Sequence, residues 1–81
     1  MRKPLILHVD ENHPLLIKGL KHMGFENVIE YNTPLEKLIP NLKLYKGLVI
    51  RSRFPIDKKF LDLATNLKFI ARVGAWNAFF I

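Results

Sequence analysis

Residues 5–9 of the chain read LILHV, a short and nearly continuous apolar run that is followed by polar residues. Such a run is typical of a strand buried on both faces of a parallel sheet. Two similar runs follow at residues 47–50 (GLVI) and 67–71 (LKFIA), and residues 28–31 (VIEY) have a related pattern. These four segments predict four strands, the first of which opens the chain.

Helical signals separate the predicted strands. The first helix has Pro14 in its first turn, apolar residues at helical spacing and a stop at Gly24. The second opens at residues 33–36 (TPLE), a capping-box pattern with proline at the first helical position, and we expect Pro40 to break or kink it. Asp57 is predicted to cap the third. The apolar face of the first helix would consist of Leu16, Ile17, Leu20 and Met23.

The alternation of strands and helices decides the fold class. It implies βαβ units with right-handed crossovers. We therefore expect an α/β domain with an open parallel sheet of about four strands and flanking helices.

Length and composition limit the alternatives. The chain has 81 residues, of which 49% are apolar, enough for one thin core and too little for two. It has no cysteine, which excludes disulfides and thiolate metal sites and fits a cytoplasmic location. The longest uncharged stretch, residues 73–81, is too short for a membrane span or a signal-peptide core.

The net charge of +6 raises the question of a nucleic-acid partner. Such a partner requires basic residues clustered on one face, with aromatic side chains between them. The basic residues of the predicted amphipathic segments are Lys18, Lys21, Lys37, Lys43, Lys46, Lys58 and Lys59. Because these lysines are scattered over polar positions, we interpret them as solubilising charge and expect no nucleic-acid partner.

Ligands of open parallel α/β sheets bind beyond the carboxyl ends of the strands. The residues at those positions are Asp10, Asn32, Arg51, Ser52, Arg72 and Gly74. If the third and fourth strands are neighbours, Arg51 and Arg72 emerge side by side at one edge. Two guanidiniums and a hydroxyl would then face a small anion, which the backbone at Gly74 can approach closely.

Structural roles compete with these functional interpretations. The alternative for Arg51 and Arg53 is that they pair with Asp10 or Asp57, and residue types alone leave both options open. His8 lies inside the first strand, and we expect it to pack there rather than act as a ligand or base. The other two histidines are nine residues apart, which is not the spacing of a metal pair, so we predict no metal site.

Two segments carry a family resemblance. They read LVIRSR at residues 48–53 and NLKFIARVGA at residues 66–75, with one helix between them. Together they resemble the amino-terminal segment of the D-isomer-specific 2-hydroxyacid dehydrogenases, and the resemblance covers residues 3–75. It implies a flavodoxin-like substrate-binding domain.

The resemblance also implies roles for particular residues. In that family, arginines and loop amides of this region bind the anionic substrate. The residues that would line the substrate side of the cleft are Arg51, Ser52, Arg72, Val73 and Gly74. Ala75 matches a position near the NAD cofactor, and the implied ligand is a small hydroxyacid with a carboxylate or phosphate group.

The chain departs from the family after residue 75. It continues as WNAFFI at residues 76–81, and Trp76 cannot replace a glycine needed for close backbone approach. The glycine-rich dinucleotide fingerprint and the catalytic residues of the family's cofactor domain are absent. We therefore expect residues 1–75 to be a partial substrate-binding domain, truncated or frame-shifted, followed by a non-matching apolar tail that offers a surface for self-association. NAD is expected to serve the parent enzymes and not to bind this chain alone.

Two alternatives belong to other functional classes. Residues 5–11 (LILHVDE) are also similar to the start of a response-regulator receiver domain, in which acidic residues after the first strand hold Mg²⁺. A receiver needs a phosphoacceptor aspartate at the end of the third strand, where this chain has Arg51. The other alternative is a non-catalytic interaction module that presents its sheet edge or its apolar tail to a partner.

Overall fold

A computed structural model describes residues 3–51, 53–72 and 77–80, which form an α/β unit. The strands are β1 (Leu5–His8), β2 (Glu26–Ile29), β3 (Tyr45–Ile50), β4 (Phe69–Arg72) and β5 (Asn77–Phe80). The helices are α1 (Pro14–His22), α2 (Leu35–Leu38) and α3 (Lys58–Leu63), and a 3₁₀ helix (Ile39–Leu44) follows α2. Within these ranges, no helix combines the length and the apolar character needed to cross a membrane.

The strands form one sheet in the order β2-β1-β3-β4-β5. The first four are parallel to one another, which confirms the predicted fold class. The fifth strand was not predicted. It runs antiparallel to β4, so that Arg72 pairs with Asn77 and Phe69 with Phe80. This strand forms by pairing with the otherwise free edge of β4. The sequence of residues 77–80 does not show that such an edge is nearby, so the strand could not be predicted from it.

Two of the predicted strands are displaced along the chain. We predicted the second at residues 28–31, yet β2 begins at Glu26, because its amide donates to the carbonyl of Pro4 at 2.9 Å. We predicted the fourth at residues 67–71, yet β4 runs from Phe69 to Arg72. Arg72 is therefore the last residue of its strand rather than the first residue beyond it.

The helices lie on both faces of the sheet. The connection from β1 to β2 runs toward one edge and the next two connections run toward the other edge. Right-handed crossovers therefore place α1 on one face and both α2 and α3 on the opposite face. The main core lies under α2 and α3. It consists of Leu7, Val9, Leu38, Leu42, Tyr45, Leu48, Ile50, Phe60, Ala64, Leu67 and Ile70.

Helix termini follow the sequence signals only in part. His13 caps α1 by accepting the Leu15 amide on Nδ1 at 3.1 Å, and Gly24 ends the turn after it with a φ of +96°. Leu16, Ile17 and Leu20 of the predicted apolar face are half-buried, whereas Met23 lies beyond the end of α1 and is 74% exposed. Asp57 caps α3 as predicted, because its Oδ1 accepts the Phe60 amide at 2.9 Å.

The predicted capping box of the second helix does not form. The Thr33 hydroxyl donates to the Glu30 carboxylate instead, and Pro34 occupies the N-cap position without a side-chain hydrogen bond. The expected effect of Pro40 is confirmed, because α2 ends at Leu38 and the chain continues as a 3₁₀ helix.

Gly47 allows the aromatic packing on the α1 face of the sheet. A Cβ atom at this position would overlap the ring of Phe69 and approach Ile6 Cδ1 to 2.7 Å. The Phe69 ring meets Phe25 edge-on, with ring centroids 6.2 Å apart. A glycine is needed here because the Phe69 side chain crosses directly over the neighbouring strand.

A polar contact links β1, β2 and α1. His8 is fully buried, and its Nε2 lies 2.6 Å from Asn27 Oδ1, while Asn27 Nδ2 donates to the Ile17 carbonyl at 3.1 Å. Because the Ile17 carbonyl can only accept, the NH₂ group of Asn27 faces it and Asn27 Oδ1 faces His8. Neutral His8 therefore carries its proton on Nε2 and donates it to Asn27 Oδ1. The other ring nitrogen, Nδ1, is buried without a partner among the described residues. The prediction that His8 packs inside its strand is confirmed.

Burial lowers the pKa of His8 below its ordinary value of 6.5, and the hydrogen bond to Asn27 offsets this in part. Protonation would add an N–H at Nδ1 that no described acceptor meets. The unfolded chain thus binds a proton at His8 more readily than the folded chain does. The contribution of neutral His8 to the free energy of unfolding is therefore complete above pH 6.5 and is lost as the pH falls below it.

We therefore expect the free energy of unfolding to decrease between pH 7 and pH 5, by about 1.4 kcal/mol for each unit by which the pKa is lowered. Urea titrations followed by circular dichroism will measure this. His8→Gln should lose the slope in this range, whereas His22→Gln, at an exposed histidine, should keep it. An unchanged slope in His8→Gln would contradict the assignment.

Candidate functional site

The carboxyl edge of the sheet contains a topological switch point. The strand order reverses between β1 and β3, since β1 connects to β2 on one side and β3 connects to β4 on the other. Crevices at such points are the usual ligand sites of open α/β sheets. Asp10 follows β1 and Arg51 follows β3, so this edge carries both signs of charge at the switch point.

Two of the predicted site residues lie at this edge, Arg51 directly after β3 and Arg72 at the end of β4. The third and fourth strands pair as predicted, with Ile50 opposite Arg72, so Arg51 is one residue beyond the partner of Arg72. Both arginines are exposed. Neither guanidinium has a hydrogen bond or ion pair with another residue that the structure describes. The carboxyl edge of the sheet therefore carries two exposed arginines, one after β3 and one at the end of β4, that no described residue neutralises.

The other predicted site residues have different placements. Asn32 is exposed in the turn after β2. Four of the predicted residues lie outside the described part of the chain: Ser52, Val73, Gly74 and Ala75. Their predicted roles stay predictions.

Asp10 holds the loop that follows β3. Its Oδ2 atom accepts the backbone amide of Arg51 at 2.6 Å and that of Arg53 at 3.2 Å. The carboxylate is half-buried and belongs to the neighbouring strand segment. One oxygen atom of Asp10 therefore fixes the backbone on both sides of residue 52, and hydrogen bonds to an ionised acceptor are stronger than neutral ones.

Arg53 holds the same loop through its side chain. The guanidinium donates from Nη1 to the carbonyls of Val9 at 3.0 Å and Glu30 at 2.6 Å, and from Nη2 to the carbonyl of Thr33. These carbonyls follow β1, follow β2 and precede α2. Arg53 therefore ties three segments together at the edge. We call Asp10 and Arg53 together the loop clamp.

The contacts of the loop clamp answer whether Arg51 and Arg53 form ion pairs with Asp10 or Asp57, a question that the sequence left open. Within the described ranges, neither Arg51 nor Arg53 pairs its guanidinium with a carboxylate, and Asp57 serves as a helix cap. Arg53 binds backbone carbonyls, a role that the residue types did not predict. The available signal was weak, because an aspartate directly after the first strand and an arginine two residues past Arg51 are ordinary edge residues.

The residues that the structure describes do not fit NAD or a metal ion. The turn between β1 and α1 has no glycine. Gly19 lies inside α1, Gly24 ends it, and Gly47 lies under Phe69, so none of the three supplies a strand-to-helix turn for a pyrophosphate. Over the same ranges, no group of three or more histidine, aspartate or glutamate side chains is placed to hold a metal ion.

The architecture defines an α/β protein of flavodoxin-like topology with a cationic carboxyl edge. Residues 5–75 match the sequence model of the family described as D-isomer specific 2-hydroxyacid dehydrogenase, catalytic domain. The chain belongs to this family, whose members are generally NAD-dependent. The match agrees with the resemblance over residues 3–75 and disfavours the receiver alternative. No significant match to a curated protein was found.

The contacts predict opposite consequences for two neighbouring arginines. Arg53→Ala should lower the free energy of unfolding by roughly 2–4 kcal/mol, because three carbonyls lose a charged donor. Arg51→Ala should change it by no more than about 0.5 kcal/mol, since that side chain is exposed. Urea unfolding followed by circular dichroism measures both, and if Arg53→Ala does not fold, Arg53→Lys should show an intermediate loss. Equal effects of the two alanine variants would contradict the clamp.

Proposed function

We propose that this chain binds the anionic groups of a D-2-hydroxyacid at the carboxyl edge of its sheet. Arg51 and Arg72 are the charged contacts in this proposal. Ser52 contributes its hydroxyl, and the backbone at Val73 and Gly74 approaches the ligand. The family resemblance assigns Ala75 to the cofactor side of the proposed site.

One observation carries the proposal. Arg51 follows β3 at the switch point and Arg72 ends the neighbouring strand β4, and neither guanidinium is neutralised by a described residue. Arginine presents a planar set of donors that matches the two oxygens of a carboxylate or the several oxygens of a phosphate. The family match supports a hydroxyacid as the molecule that carries these groups.

The particular substrate that we propose is a phosphorylated hydroxyacid, 3-phosphoglycerate. Two exposed arginines at the same edge of the sheet favour a ligand with two anionic groups over a simple hydroxyacid with one. The net charge of +6 attracts such a polyanion over a longer range.

Substrate placement is the whole of the function that we assign to the described residues. In the parent enzymes, NAD accepts the hydride when it is bound. Hydride transfer also needs a base within reach of the substrate hydroxyl. His8 is buried, and the exposed His13 and His22 lie at the two ends of α1, so none of them is supported as that base. We therefore propose a substrate-binding unit of an NAD-dependent oxidoreductase.

Two further parts of the proposal concern the setting of the chain. A cytoplasmic location stays a prediction, based on a sequence without cysteine. Self-association through residues 76–81 also stays a prediction. It is supported by the position of β5 at an edge of the sheet, where backbone groups are available for pairing.

The anion site is tested by NMR titration of the ¹⁵N-labelled chain with 3-phosphoglycerate. We expect a dissociation constant near the millimolar range, about 4 kcal/mol, because two exposed charged contacts act without a second domain closing over them. Arg51→Ala and Arg72→Ala should each weaken binding. D-Lactate, which has one anionic group, should bind more weakly than 3-phosphoglycerate.

Lys21→Ala is the matched control, since it removes one exposed positive charge near the amino edge of the sheet. This variant should retain the affinity of the unmodified chain. Shifts that persist unchanged in the double variant Arg51→Ala with Arg72→Ala would contradict the site.

The same chain should neither bind NAD measurably nor oxidise hydroxyacids, because the residues described do not form a pyrophosphate-binding turn. Saturation-transfer NMR with NAD and an NADH fluorescence assay with several D-2-hydroxyacids test this at high protein concentration. NADH formation that Arg72→Ala abolishes, in material free of host dehydrogenase, would show that the chain has more of the active site than we propose.

A further inference from the structure

Asp10 combines two properties that conflict in an anion site. Its carboxylate lies at the switch point beside the loop that carries Arg51, where a negative charge opposes the binding of an anion. The same carboxylate accepts the Arg51 and Arg53 amides through one oxygen atom. The negative charge of Asp10 weakens anion binding, whereas its hydrogen bonds to the loop favour a fixed loop conformation.

We propose that Asp10 is a positioning residue for anion binding, which sets the backbone from which the Arg51 side chain extends. This inference rests on the proposed function of Arg51. Asp10 does not touch the ligand in this proposal, and it acts only through the loop.

The contacts of the loop support this assignment. The Arg51 amide lies 2.6 Å from Asp10 Oδ2, so the backbone nitrogen at the base of the Arg51 side chain is fixed to the neighbouring strand. Arg53 fixes the far side of the loop through the carbonyls of Val9 and Glu30. With both sides held, an exposed Arg51 loses less conformational freedom when it binds an anion than it would on an unrestrained loop.

The arrangement also explains why Asp10 leaves Arg51 available. A carboxylate at this distance from an arginine backbone is able to form an ion pair with the side chain. Here Oδ2 is engaged by two backbone amides, and the Arg51 guanidinium has no ion pair with a described residue. Asp10 thus stabilises the loop without neutralising the cation that it positions.

The electrostatic effect and the positioning role of Asp10 predict opposite changes in anion affinity for the substitution Asp10→Asn. Asp10→Asn removes a negative charge next to the site, so charge alone would strengthen the binding of 3-phosphoglycerate. Loss of positioning would weaken it, because a neutral amide oxygen holds the two backbone amides less strongly than a carboxylate does. We expect affinity to fall roughly five- to tenfold, since charge-assisted hydrogen bonds are about twice as strong as neutral ones.

Two controls separate positioning from charge and from general stability. Glu11→Gln removes the same charge from the next residue, which is exposed, and should leave binding unchanged or slightly stronger. Asn27→Ala removes the contacts to His8 and α1, which lowers stability away from the edge. It should leave the affinity of the folded protein unchanged.

The experiment is the ¹⁵N NMR titration of the full chain with 3-phosphoglycerate, performed on the unmodified protein, Asp10→Asn, Asp10→Glu, Glu11→Gln and Asn27→Ala. Weaker binding in Asp10→Asn with the two controls unchanged supports the inference. Asp10→Glu keeps the charge and moves the carboxylate by one methylene, so it should also bind more weakly. This variant decides the matter if Asp10→Asn does not fold.

Other outcomes contradict distinct parts of the argument. Binding that depends on Arg51 but is equal or stronger in Asp10→Asn overturns the positioning role alone. An equal loss of affinity in Asp10→Asn and Glu11→Gln overturns it as well. Absence of binding in the unmodified chain, or binding that persists in Arg51→Ala, overturns the proposed function and with it the inference.

Discussion

The parallel pairing of β1 with β3 is the constraint on which the rest of the structure depends. Parallel strands end at the same edge of a sheet, and the pairing of His8 with Val49 brings the segments after both strands together. Asp10 and Arg51 are 41 positions apart in the chain, and this pairing alone makes their contact feasible. The same pairing creates the switch point, because β2 and β4 extend the sheet in opposite directions.

The charged residues at the carboxyl edge form two sets. Asp10 and Arg53 bind the backbone, and Arg51 and Arg72 are the residues that we propose bind the ligand. Asp10 and Arg53 are oppositely charged, yet each binds main-chain groups in the contacts described above. Their charges therefore stabilise loop conformation and leave the exposed Arg51 and Arg72 to carry the positive potential. Such a division is physically reasonable, because an arginine already paired with a carboxylate would have to break that pair before it could bind an anion.

The face of the sheet that α1 covers is stabilised by both apolar packing and hydrogen bonds. Helix α1 buries no residue completely, so it gains less from apolar packing than α2 and α3 do. The hydrogen bonds that join His8, Asn27 and the Ile17 carbonyl supplement that packing. Because Asn27 links the His8 ring to the Ile17 carbonyl, we expect the protonation state of His8 to affect the attachment of α1 to the sheet.

Much of the fold was predictable because short-range physics governs it. Continuous apolar runs indicated the four parallel strands, Gly24 marked the end of the first helical segment, and Asp57 capped its helix through contacts within a few residues. The candidate site followed in outline, since Arg51 and Arg72 come at the ends of apolar runs. Local pattern alone thus determined the class of the fold, and it indicated the edge of the sheet at which we propose that the ligand binds.

Tertiary structure decided what depends on distant partners. Strand β5 forms only because β4 has a free edge, and the true start of β2 follows from its register with β1. The roles of Asp10 and Arg53 depend on groups 20 to 44 positions away in the chain, which no local pattern encodes. A side chain's type is written in the sequence, whereas the partner that it meets is fixed only when the sheet has assembled.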